Sequence, residues 1–180
     1  MGLFSIFSGK KNKEDKPKDS KPEKLSFDTA LGHFIYVCSP GCVPPEYGYE
    51  SEIDWPGADY EDRLGVYIDC ESPESTDASR CYEKLERIVS EKDRTEYRVK
   101  SALAEHFLNE KPQLICSEPG KTVTKEDLIK EMKLQFISIY RNGDTVFSVY
   151  DGFCFDLRSE EIEVIFKADG SMEFKYCEYD

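Results

Sequence analysis

The chain is 180 residues long, carries a formal net charge of −13 and is 39% apolar and 13% aromatic. That length suits one domain with at most an appendage, and the apolar share supplies one sizeable core. The acid excess argues against nucleic-acid binding, which needs a basic face to neutralise phosphates, and favours a basic protein partner met through complementary potentials.

Residues 1–24 read as a basic tail and residues 25–180 as the folded domain. Leu3, Phe4, Ile6 and Phe7 are followed by seven lysines between Lys10 and Lys24, set against Glu14, Asp15, Asp19 and Glu23. Seven cations against four carboxylates give +3 and leave −16 for the rest. With Pro17 and Pro22 and almost nothing apolar, residues 10–24 bury too little surface to offset chain entropy, so a disordered linker is expected. The apolar residues 3–7 ahead of the lysines have the composition to touch an anionic membrane, although so short a helix is marginal in water. Ile6 stands where a myristoylation pattern wants Ser or Thr. No signal-peptide h-region and no apolar run long enough to span a bilayer is seen. The seven cysteines are odd in number, and a reducing cytosol with free thiols is the expectation.

The folded part opens with a strand at Leu31–Val37 and an irregular Pro/Gly connection from Cys38 to Tyr47. Tyr49, Ser51, Ile53 and Trp55 then alternate with Glu50, Glu52 and Asp54, and Leu64, Val66, Ile68 and Cys70 with Gly65, Tyr67 and Asp69. A period of two predicts strands with one buried and one wet face, joined by a Pro56-Gly57 turn. Trp55 shares the parity of Ile53 and is expected in the core. From Glu46 to Asp77 there are eleven acids and one base, Arg63, a local charge of −10. A solvated face is one reading; an electrostatic docking surface built from Glu46, Glu50, Glu52, Asp54, Asp59, Glu61 and Asp62 is the other.

Ser72-Pro73 is suited to start a helix, and Ala78, Cys81, Tyr82, Leu85, Ile88 and Val89 recur at helical spacing. A second helix is predicted from about Asp93 to Asn109, with Tyr97, Ala104, Phe107 and Leu108 inward, widened by Val99 and Leu103, and ended by Pro112. Thr124-Lys125-Glu126-Asp127 resembles a capping box and starts a short third helix to about Met132. From Leu134 to Tyr179 strands alternate with Asn142-Gly143, Asp151-Gly152 and Asp169-Gly170, dipeptides that tolerate a type I′ turn. Strands, then helices, then strands argue an α+β fold: a mostly antiparallel sheet with a C-terminal β-meander and two to three helices on one face.

Chemistry is sparsely signalled. His33 and His106 are the two histidines, and each suits packing or surface better than catalysis. No nucleophile elbow, phosphate loop, dinucleotide fingerprint or His-Glu-x-x-His motif occurs. Cys38-Ser39-Pro40-Gly41-Cys42 is the nearest approach to a metal knuckle, with Cys70 or Cys81 as further ligands, but its spacing is three and no second knuckle follows. No cofactor is expected.

Leu31-Gly32-His33-Phe34, Ile53-Asp54-Trp55-Pro56-Gly57, two helices, Val123-Thr124-Lys125-Glu126-Asp127-Leu128, Leu134–Ile139 with Asn142-Gly143, and Asp151-Gly152 together resemble the uncharacterised bacterial family called domain of unknown function 2262. The resemblance spans roughly residues 31–170 and implies no assigned activity. Members tend to carry an aromatic–Gly–His run after the Asp-rich turn; this chain has Phe155-Asp156-Leu157-Arg158-Ser159-Glu160 there. The expected function is a non-catalytic cytoplasmic interaction domain, in concrete form an immunity-type inhibitor of a basic toxin or an accessory protein. The alternatives are a small thiol- or metal-dependent enzyme using Cys38, Cys42 and a histidine, and a peripheral membrane protein held by residues 3–7.

Overall fold

A computed structural model describes residues 25–39, 46–59, 61–71, 78–117, 120–159 and 161–179. These form one sheet of eight strands: β1 (Ser26–Asp28), β2 (His33–Ser39), β3 (Glu46–Asp54), β4 (Arg63–Asp69), β5 (Lys133–Ile139), β6 (Thr145–Tyr150), β7 (Glu161–Phe166) and β8 (Met172–Lys175). Spatial order follows chain order. Every neighbouring pair is antiparallel except β4–β5. A parallel pair cannot be closed by a hairpin, so its crossover holds the helices: α1 (Ala78–Ser90), α2 (Lys92–Glu110) and α3 (Lys125–Glu131). The α+β expectation and the C-terminal meander stand.

Alternation decides what each face of the sheet meets. Leu64, Val66 and Ile68 of β4 are fully buried, as are Ile137 and Ile139 of β5, and they share one core with Leu85, Val99, Leu103, Phe107 and Leu128 of the helices. Burying each such aliphatic side chain contributes roughly 2 kcal/mol. Phe107 stacks on Phe155 with centroids 3.8 Å apart. Trp55 is fully buried, as its parity predicts. Its indole donates to Glu96 Oε2 at 2.8 Å, and the other oxygen of Glu96 pairs with Lys100 Nζ at 2.6 Å. α3 starts on the expected capping box, with Asp127 N donating to the Thr124 hydroxyl and Thr124 N to the Asp127 carboxylate.

Four expectations change. Leu31-Gly32 is a turn, not the first strand, and the three-residue β1 precedes it. Tyr97 points outward, 56% exposed, while the inner face of α2 is Val99, Lys100, Leu103, Ala104 and Phe107. The Asn142-Gly143 and Asp169-Gly170 turns are not type I′, which needs positive φ at both central residues. Only Gly143 (φ 94) and Gly170 (φ 89) are positive, and Gly143 N donates to Tyr140 O, Gly170 N to Lys167 O. These are three-residue loops with glycine at the left-handed position. Asp151-Gly152 does turn, but β6 and β7 are separated by the whole of residues 151–160, part of which bridges Ile115 through Phe155. The Ser72-Pro73 helix start lies outside the described residues.

Candidate functional site

The helices cover one face of the sheet, and the opposite face along β2 to β5 is open. β3 puts Tyr49 and Ile53 into the core, so the pleat sends Glu50, Glu52 and Asp54 to the open side, all exposed. Register then sets their neighbours: Glu50 lies between Ile35 and Tyr67, Glu52 beside Gly65, Asp54 beside Arg63. A trough of about 960 Å³ runs along this face, with the turn at Thr29–Gly32 as its rim.

Two glycines shape this open face, and Gly65 with Phe136 lines the trough itself. A Cβ on Gly65 would stand 2.3 Å from the Phe136 ring, and one on Gly48 2.3 Å from the Tyr67 ring. Each ring therefore lies flat across a neighbouring strand instead of standing up from the sheet. Tyr67 is fixed there by its hydroxyl, which donates to Tyr47 O at 3.0 Å. With half-buried Ile35 and Val37, these rings make an apolar shelf beside the carboxylates.

The acids expected to act together divide by what they touch. Among the described residues no ion pair engages Glu50 or Glu52. Asp54 receives Arg63 Nη1 at 2.8 Å in an exposed pair, which adds little stability. Asp59 is half-buried and accepts from Gln135 Nε2 at 3.0 Å, latching the β3–β4 turn to β5. Asp62 accepts from Gly57 N at 2.7 Å and holds that same turn, and Glu61 is exposed on it. The side chain of Glu46 lies outside the description.

Among the described residues the thiol and imidazole groups are not gathered. His33 and Cys38 stand five residues apart on β2, so the pleat directs them to opposite faces; Cys42 lies outside the described residues, as do Leu3 to Phe7 and the lysines of the tail. His33 Nδ1 lies 2.7 Å from Asp28 at the exposed edge. His106 is on α2, stacked on Phe174 at 4.4 Å, with Nε2 2.9 Å from the Tyr176 hydroxyl and Nδ1 3.3 Å from Glu110. That chain of contacts clamps the segment after β8 to α2. The six described cysteines are free. Burial, helped by Asp151, pushes the Cys154 thiol up to about 11, and burial also raises Cys81 and Cys116, which keeps them protonated and weakly nucleophilic at neutral pH. Among the described residues no group of three or more His, Cys, Asp or Glu is placed to hold a metal ion, and no helix is long and apolar enough to cross a membrane.

The apolar shelf was not legible in sequence, although a signal existed. Gly48 and Gly65 interrupt otherwise aromatic and β-branched strands, and glycine inside a strand marks close approach of another group. The chain matches no family model, no curated protein and no solved structure.

Proposed function

We propose that this protein is a cytosolic interaction module that binds a basic protein through the open face of its sheet. The observation that carries this reading is the pairing of unengaged Glu50 and Glu52 with the flat shelf of Ile35, Val37, Tyr67 and Phe136. Carboxylates steer and register a cationic partner, while the aromatic and aliphatic floor supplies area that excludes water around the contact. A partner strand or loop bearing Lys or Arg beside an apolar anchor fits both. An immunity-type inhibitor that neutralises a basic toxin is the concrete form, and accessory binding to a basic enzyme uses the same chemistry. Free thiols throughout the described part suit a reducing compartment.

The test is capture from extract of the parent cell on the immobilised intact chain at low and at high salt. A basic protein retained at low salt and released at high salt supports the reading. A partner indifferent to salt, or none, overturns it.

A further inference from the structure

On the helix-covered side, where α1 packs near the carboxyl end of β5, a second cavity of about 330 Å³ has the opposite electrostatic character. Arg80, Lys84 and Arg87 of α1 line it at i, i+4 and i+7, so one helix stripe supplies three cations. Arg141, from the β5–β6 turn, supplies a fourth. Among the described residues no carboxylate lines the cavity, in a chain that carries 37 acids against 24 bases.

Two of the cations are fixed in position. Arg141 is oriented by Asp69, whose Oδ2 accepts from both its backbone N (3.1 Å) and Nε (2.9 Å), and its Nη1 lies 4.0 Å from Glu71 Oε2. Lys84 is half-buried and donates to Gly143 O at 2.7 Å. Burial lowers the Lys84 pKa, with Arg87 adding to the effect and Cys81 and the Asp144 carboxylate opposing it. Arg80 and Arg87 are exposed and make no ion pair with any described residue. The place is also apt: it lies beyond the carboxyl ends of β4 and β5, the parallel pair, where ligands of open α/β sheets gather.

Lys84 also lines an adjoining slot of about 260 Å³ walled by Ile88, Val99, Phe147 and Phe166. Arg98 sits over the Phe166 ring at 4.6 Å from its centroid. Thr145 lines the slot as well, and its buried hydroxyl has no partner among the described residues.

We infer that this paired cavity binds a small phosphorylated molecule, its phosphate among Arg80, Lys84, Arg87 and Arg141 and its apolar body in the slot between α1, α2 and β7. Guanidinium groups meet phosphate oxygens with paired hydrogen bonds, and the cavity volumes are those of small-molecule sites. A nucleic-acid strand is the less fitting occupant, since Glu83 and Glu86 are exposed on the same helix and the chain as a whole repels polyanions.

The experiment is an amide NMR titration of the full chain with phenyl phosphate, inorganic phosphate, phenol and a short single-stranded oligonucleotide. Phenyl phosphate is expected to give saturable shifts at residues 80–87, 98 and 141–145. Inorganic phosphate should bind at the same place about tenfold more weakly, and phenol not measurably. Arg80→Gln/Arg87→Gln should weaken phenyl phosphate about tenfold while the spectrum stays dispersed, whereas Lys92→Gln/Arg94→Gln on α2 should leave it unchanged. Shifts that do not saturate, equal affinity in the Arg80/Arg87 variant, or tightest binding by the oligonucleotide would each overturn the inference.

Discussion

The two faces of this sheet are built from the same strands and obey different physics. On the helix-covered side, Leu64, Ile137, Leu103 and Phe107 exclude water completely. On the open side the same strands carry Glu50, Glu52, Ile35 and Phe136, left to solvent or half-covered. Burial concentrates stability in the first face, and the partner docking proposed above falls to the second. Substitutions should separate the two.

The largest effect is expected in the core. Leu103→Ala should cost about 3 kcal/mol in urea unfolding through a cavity at a fully buried site, whereas Glu50→Ala with Glu52→Ala should stay within about 0.5 kcal/mol of the parent. A face that proved as sensitive as the core would erase the distinction. Next comes the polar contact inside the core. Lys100→Ala leaves Glu96 largely buried with the Trp55 indole as its one remaining partner among the described residues, at a cost of about 3 kcal/mol, and the double change Lys100→Met/Glu96→Leu should recover most of it. Third, Gly65→Val on the open face should cost about 2 kcal/mol, because its side chain needs the space held by the Phe136 ring; a shifted Phe136 ring resonance would accompany it.

The smallest effect is a response to acid. Hydrogen bonds from Thr124, Ala168 and Ser171 hold the carboxyls of Asp127, Asp144 and Asp169 below the usual range. Because the folded state depresses these pKa values, their contribution is present above the ordinary carboxylate pKa of about 4 and is lost as pH falls through the lower folded values. The urea midpoint should fall across that acid window, and less steeply in Asp144→Asn/Asp169→Asn. Identical slopes would remove these turn carboxylates from the explanation.

Alternation in β3 and β4 was legible because one buried face imposes a period of two there, whereas a bulge between Leu134 and Phe136 breaks it in β5 and neighbouring residues are buried together in β6 and β7. β1 was not legible, because three residues carry no period. In α2 the true stripe is Val99, Lys100, Leu103, Ala104 and Phe107, and a lysine inside it masks the pattern; Glu96, one turn earlier, is what makes that lysine tolerable. Sequence charge also grouped Glu46, Asp54, Asp59, Glu61 and Asp62 with Glu50 and Glu52 as one surface. Partners decide otherwise for Asp54, Asp59 and Asp62, which Arg63, Gln135 and Gly57 reach only through register, turn and crossover. The same blindness hid the basic cavity, since Arg80, Lys84 and Arg87 are outnumbered along the chain by acids and Arg141 joins them only in the fold.

The most direct measurement is retention of the salt-sensitive partner by two charge-reversed forms of the intact chain. Glu50→Lys/Glu52→Lys changes the open face, and Glu83→Lys/Glu86→Lys makes the same charge change on the exposed side of α1. The expected result is a loss of about tenfold or more in affinity for the first and little change for the second. Equal losses in both would mean that net charge alone attracts the partner, and retention by the first form would contradict docking on the open face.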